Sequence, residues 1–283
     1  MKKIIFIAFV FMGCESKKEV IQEVFTLPKK LKEVSGMIYD DKRQVLWTLE
    51  DSGNPNALTS IDKNGKKVHE IEITNLENTD WEDITKDAAG NLYIGDFGNN
   101  DNERKDLAIY KIAATDLDQK STKYTERIGF SYPEQTDFPP KKTALWFDLE
   151  GFFEMEGYFY LFTKNRSKKF DGMSLVYKIP NRAGDHQAEL IGKFYTNNEY
   201  QHGAITSLAI SPDKQKIAVL AHDKIWILEA FSSDNILKNK TKLIELNHFS
   251  QKEAICFTDN QTMWLCDENE NKGGGKVYEI KLP

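Results

Sequence analysis

Short apolar runs, alternating or continuous, recur along the chain between clusters of Gly, Asn, Asp and Pro. Such runs at this length and punctuation read as β-strands. They come in sets of four. The first set covers 35–39, 45–49, 57–61 and 67–73, with Asn64-Gly65 as a hairpin turn between the last two. The second covers 82–85, 91–95, 107–112 and 126–132; the third 150–155, 158–163, 174–179 and 188–194. The fourth covers 206–211, 216–221, 224–229 and 241–246. A fifth set has only three runs, at 253–258, 262–266 and 276–282, while one run at the other terminus, 20–26, stands unassigned. Helical periodicity is confined to a single expected turn near 230–237.

Every set opens on the same frame: Glu33-Val-Ser35-Gly36, Asp80-Trp-Glu82-Asp83, Asp148-Leu-Glu150-Gly151, Ile205-Thr-Ser207-Leu208 and Gln251-Lys-Glu253-Ala254. The central residues recur at spacings of 47, 68, 57 and 46, the signature of a repeat architecture. The pattern predicts an all-β chain, a single five-bladed β-propeller over 19–283. In it, the N-terminal run supplies the missing fourth strand of the last blade and covers its edge. A sixth blade would need a sixth string between Glu82 and Glu150, where 133–143 reads as a proline-bearing loop.

Composition places the chain among folded proteins, and its acidic balance is compatible with an exported one that binds cations. It has 283 residues, 40% hydrophobic and 29% charged, with a net charge of −6. That balance, without a basic cluster, argues against nucleic acid as a partner, and the chain is expected to be a monomer. Residues 1–13 form a leader: Lys2 and Lys3, then an apolar run from Ile4 to Met12 that is too short to span a bilayer. It ends at Gly13-Cys14 and turns polar, which resembles a bacterial lipoprotein signal. The resemblance implies lipidation of Cys14, a short tether over 14–18, and a membrane-anchored protein of the cell envelope on its periplasmic or outer-surface side. The remaining pair, Cys256 and Cys266, is offset across a hairpin and reads as two buried thiols, with no disulfide between them.

If each string lines the propeller axis, Ser35, Glu82, Glu150, Ser207 and Glu253 form a ring of three carboxylates and two hydroxyls. All are hard oxygen donors, the set that calcium takes at about 2.3–2.6 Å. His and Cys are missing from the frame, so softer metals fit poorly. Glu33, Asp80, Asp148 and Gln251, two residues earlier, would form a second tier. Loops opening on the same face add Asp51, Asp96, Asp267 and the cations Arg104, Lys164 and Arg166, groups suited to a small anionic ligand or a protein partner. In a catalytic reading, calcium polarises a phosphoryl oxygen, Asp80, Asp148 or Glu33 positions water and Arg104 steadies the anion. The competing reading leaves the acids solvated and the cations merely neutralising them.

The strings Glu33-Val-Ser35-Gly36 and Asp148-Leu-Glu150-Gly151 resemble those of the SdiA-regulated family of bacterial propellers. The order Ser, Glu, Glu, Ser, Glu is similar to that of the calcium-dependent apyrases, five-bladed propellers that hydrolyse nucleoside diphosphates around one central calcium. These resemblances imply calcium at the ring. They leave two functions open: a calcium-stabilised binding module with a polar face, or a calcium-dependent hydrolase of phosphoanhydrides or phosphoesters. Gly273-Gly274-Gly275 lacks the strand-then-helix setting of a phosphate loop. Asp267-Glu-Asn-Glu-Asn271 has Lys272 where a calcium loop needs glycine. No Ser or Cys is visibly poised beside His202 or His222.

Overall fold

The computed structural model describes residues 20–268 and 275–282. The leader, Cys14, the tether, and Gly273-Gly274 lie outside the described residues. Strand β1 (Gln22–Thr26) precedes blade one: β2 (Val34–Asp40), β3 (Val45–Glu50), β4 (Ala57–Ile61) and β5 (Lys67–Ile73). Blade two holds β6 (Trp81–Lys86), β7 (Leu92–Asp96), β8 (Ala108–Ile112) and, after the short β9 (Ser121–Thr122), β10 (Glu126–Ser131). Blade three holds β11 (Asp148–Met155), β12 (Tyr158–Lys164), β13 (Met173–Pro180) and, after β14 (Gly184–Gln187), β15 (Glu189–Tyr195). A one-turn helix, α1 (Tyr200–Gly203), leads into blade four: β16 (Ser207–Ile210), β17 (Lys216–Leu220), β18 (Lys224–Glu229) and β19 (Lys240–Glu245). Blade five holds β20 (Lys252–Phe257), β21 (Thr262–Asp267) and β22 (Lys276–Lys281).

Five separate sheets result, and their first strands close into a ring in which β2, β6, β11, β16 and β20 each touch the next, with β20 returning to β2. This is a five-bladed propeller. The fifth sheet is completed as the sequence suggests: β1 pairs antiparallel with β22, Gln22 opposite Glu279 and Thr26 opposite Lys276. Phe25 and Leu27 from this segment are buried with Trp264 and Val277 of blade five and Leu46 and Ile61 of blade one.

Apolar side chains collect in five clusters, each between two neighbouring blades. Trp47 and Trp81 fill the seam between blades one and two, Trp226 that between three and four, and Trp264 that between five and one. Full burial of side chains this size contributes roughly 1.5–3 kcal/mol each, so the seams between sheets carry most of the stability. Cys256 pairs opposite Trp264, and both cysteines are free and buried, as the offset requires.

Two features differ from the sequence expectation. The helical turn near 230–237 is absent: Ala230 adopts φ 56°, and Ser232 bridges to Asn235, because the run Ser-Ser-Asp-Asn favours local side-chain turns over helix. Two short strands are also lent between blades. β9 adds in parallel to β5, and β14 adds in parallel to β10, so the outer edges of blades one and two are each covered by the blade that follows. Among the described residues, no helix is long and apolar enough to cross a membrane.

Candidate functional site at the propeller mouth

Four of the five inner strands carry a β-bulge at the central residue of the frame. Register slips between Val34 and Gly36, Trp81 and Asp83, Leu149 and Gly151, and Lys252 and Ala254. A bulge leaves its extra residue unpaired and re-aims the side chain. Ser35, Glu82, Glu150 and Glu253 accordingly line one cavity of about 200 Å³ at the mouth of the axis, together with Asp51, Lys164 and Arg166. Blade four runs without a slip, Ser207 opposite Leu220. The small residue after the key position has a steric cause: a Cβ on Gly36 would stand 2.8 Å from the Cα of Asp83 in the next blade.

Charge is divided unevenly around the mouth. On the blade-three side, Lys164 Nζ lies 3.1 Å from Glu150 Oε1, and Arg166 Nη2 lies 2.7 Å from the same oxygen. Arg166 Nε also pairs with Asp148, which is fully buried and accepts the Asn99 amide at 2.8 Å. Burial opposes ionisation of Asp148, yet Arg166 and Lys164 prevail and hold its carboxyl below the usual range. Burial likewise works to discharge Lys164, but Glu150 and Glu253 keep its ammonium above the ordinary lysine value. Burial pushes Glu150 and Glu253 up, against the pull of Lys164.

The side formed by blades one and two has no such relief. Asp51, Asp80 and Glu82 offer carboxylate oxygens that all lie within 4.8 Å of one another. Glu82 is 6% exposed, and among the described residues it finds neither a hydrogen-bond donor nor a cation. Burial, then Glu150, Asp51, Asp148 and Asp80, raise its carboxyl well above the usual range. Asp80 is pushed up to about 7 by burial and then by its hydrogen bond with Asp51, with Arg104 pulling the other way. Gly98 makes room for this crowding, since a Cβ there would meet Glu82 Oε1 at 2.2 Å and Asp80 Oδ2 at 2.4 Å.

The other candidate residues are committed to neighbours. Ser35 Oγ donates to the Trp81 carbonyl at 2.7 Å, linking blades one and two. Arg104 pairs with Asp96 at 2.9 Å and Asp106 at 3.1 Å and donates to the Gly98 carbonyl, so it braces the loop and is not free to meet a ligand. Glu33 accepts from Asn54, and Gln251 donates to Glu268. Asp267 accepts from Tyr278 Oη at 2.7 Å and from Ser250 Oγ. His202 Nδ1 lies 2.7 Å from Asp223 Oδ2, and the His202 and His222 rings flank Phe249.

Asp83 escaped the sequence reading. It is fully buried on the axis and accepts the Ile84 amide at 2.8 Å and the Phe152 amide of blade three at 3.2 Å. Burial pushes its carboxyl well up, against the pull of those amides and the Leu208 amide. Ser207 does not line the cavity at the mouth; it is fully buried, and its Oγ has no hydrogen-bond partner among the described residues. The signal was present in the frame: Asp83 is the one acid at a position held elsewhere by Gly36, Gly151, Leu208 and Ala254.

No protein-family model matches the chain, and no curated protein matches it. Solved structures do. The PQQ-bound aldose sugar dehydrogenase of Streptomyces coelicolor aligns over 93% of this chain and 98% of its own, with a TM-score of 0.52 and 8% identity. A luciferin-regenerating enzyme covers 93% and 95%, with a TM-score of 0.48 and 10% identity. The likeness is one of fold. At such identity it carries neither cofactor nor substrate to this chain.

The acid cluster has a pH signature. A cation at Asp51, Asp80 and Glu82 must displace the proton that Asp80 holds up to about 7. Calcium affinity is therefore expected to fall roughly tenfold per pH unit below that point for each proton displaced. Asp80 in the folded state lies above its ordinary 3.8, so its contribution to stability is full below that value and is lost as pH rises through about 7. Melting in chelator should thus occur at lower temperature at pH 8 than at pH 6, and calcium should narrow that gap. Equal affinities at pH 6 and pH 8 would contradict the arrangement.

Proposed function

We propose that this chain is an exported lipoprotein whose propeller mouth binds one calcium ion, and that the polar face around the ion serves as a binding module for a ligand or partner. The observation that carries the cation is Glu82: a carboxylate 6% exposed, among four acidic neighbours and with no donor among the described residues. Leaving such a group ionised is costly unless a counter-charge meets it. Asp51, Asp80 and Glu82 would supply the first oxygens; Asp148 and Glu150 also bring carboxylate oxygens within 4.8 Å of Glu82, and Glu253 and Ser35 line the same cavity. The oxygen-only donor set supports calcium over zinc or copper, and the order of the frame residues supports it by resemblance to the apyrases.

The binding reading is favoured over a phosphohydrolase because Arg104, Lys164 and Arg166 are all engaged by acids. A phosphoryl group would have to break those pairs before it could use them. Lipid anchoring rests on the leader and Gly13-Cys14. Isothermal titration with calcium and magnesium tests the ion directly; heat with neither would sink the reading. For the anchor, Cys14→Ala is expected to move the protein from the membrane to the soluble fraction, and unchanged fractionation would refute it.

A further inference from the structure

The opposite end of the axis is built from different chemistry. Glu82 lines the upper cavity, Ile84 lines a lower one, and Asp83 between them binds across to blade three. The lower chamber has a volume of about 730 Å³. Its walls come from the inner strands: Ile38, Ile84, Leu208, Ile210, Ile255 and Phe257. A chamber of roughly 300–1,000 Å³, mostly apolar with a few polar groups, is the usual form of a small-molecule site. Covering such walls with an apolar ligand gains about 25 cal/mol per Å² removed from water.

The rim decides the charge of the occupant. Turns between first and second strands bring carboxylates and cations there in near balance. Asp40 pairs with Arg43 at 3.0 Å, Asp41 with Lys86 at 3.1 Å, and Glu154 with Lys214 at 3.4 Å. Asp87 and Asp259 accept amides inside their own turns, Asn91 N at 2.9 Å and Gln261 N at 2.7 Å. Lys42 is the fourth cation of the rim and makes no ion pair among the described residues. Five carboxylates against four cations leave the rim with one net negative charge, which favours an uncharged head group over an anionic one.

We propose that this lower chamber is a second binding site, which takes one small, uncharged, largely apolar organic molecule. It does not depend on the cation at the mouth, because Asp83 separates the two.

The test uses residues 20–283, which contain every strand of the closed ring. The probe is N-phenyl-1-naphthylamine, an uncharged fluorophore, with its sulfonated analogue 1-anilinonaphthalene-8-sulfonate as the charged control. One saturable site per chain is expected for the uncharged probe, displaced by decanol and at least tenfold less well by decanoate, with the sulfonated probe correspondingly weaker. Ile210→Phe, which fills the chamber without adding charge, should weaken the probe at least tenfold while the melting curve stays cooperative. Ile210→Asp should abolish binding. Glu82→Gln and chelator should leave it unchanged, so failure of the calcium reading does not touch this result. Absence of a saturable site, insensitivity to both Ile210 variants, or equal binding of the sulfonated probe would overturn the proposal.

Discussion

Glu82→Gln is expected to make the calcium-free protein more stable and the calcium-loaded protein less so. The amide keeps the shape of the side chain and removes the cost of burying a carboxylate among Glu150, Asp51, Asp148 and Asp80, or of taking up a proton to avoid that charge. In chelator the melting temperature should rise by a few degrees, corresponding to ~1 kcal/mol or more for a domain of this size. In calcium the opposite holds. A ligand bound only by the native state at a hundredfold excess over Kd contributes about 2.7 kcal/mol, or roughly 5–10 °C, and the variant should lose nearly all of that increment. Paired melts of both proteins with calcium and with chelator measure this crossing. Parallel shifts of the two proteins in the two conditions would mean that Glu82 does not meet the ion.

Lys164→Met should have the largest cost. Lys164 is buried, and its ammonium stands 3.1 Å from Glu150 with Glu253 also acting on it. Removing it leaves Arg166 as the one cation paired with Glu150 among the described residues and takes from Glu253 its strongest cationic neighbour, a loss toward the lower end of the about 3–5 kcal/mol that breaking a buried ion pair costs. A fall in melting temperature on the order of 10 °C follows for a domain of this size. Calcium should recover part of it, because Glu150 and Glu253, relieved of Lys164, line the mouth with more uncompensated negative charge. Arg166→Met is expected to do less, since its side chain is 26% exposed and water can replace some of its contacts. An unchanged melting temperature for Lys164→Met would contradict the buried pair.

The blades were legible because their strands are short apolar runs, alternating or continuous, set between turn residues, and because the frame repeats; Trp47, Trp81, Trp226 and Trp264 fall on those strands and fill the seams. The lent strands were not. Ser121-Thr122 and Gly184–Gln187 are polar and mostly exposed, and they join their neighbours through backbone bonds that leave no trace in the side-chain pattern. At the mouth, the frame identified which residues face the axis but not which charges cancel. Glu150 and Glu82 occupy the same frame position. One meets Lys164 and Arg166 from its own blade, while the other meets only acids. That difference depends on where β12 ends, with Lys164 as its last residue, and on the bulges, which have no sequence mark of their own.

The pairing of β1 with β22 sets a timetable for the newborn chain. Thr26 must wait for Lys276, about 250 residues later, and at synthesis rates of about 5–20 residues per second that delay is roughly 12–50 s. During it, blades one to four can form in order, each on contacts already made, while Phe25 and Leu27 have no finished seam to enter. A bare strand edge and two apolar side chains are then open to other chains, which makes this interval the time of greatest exposure to aggregation and gives a chaperone that shields the first thirty residues a definite task. A premature stop just before β22 would remove the partner of β1 as well, so that losing the last few residues would unseat a strand made at the very beginning.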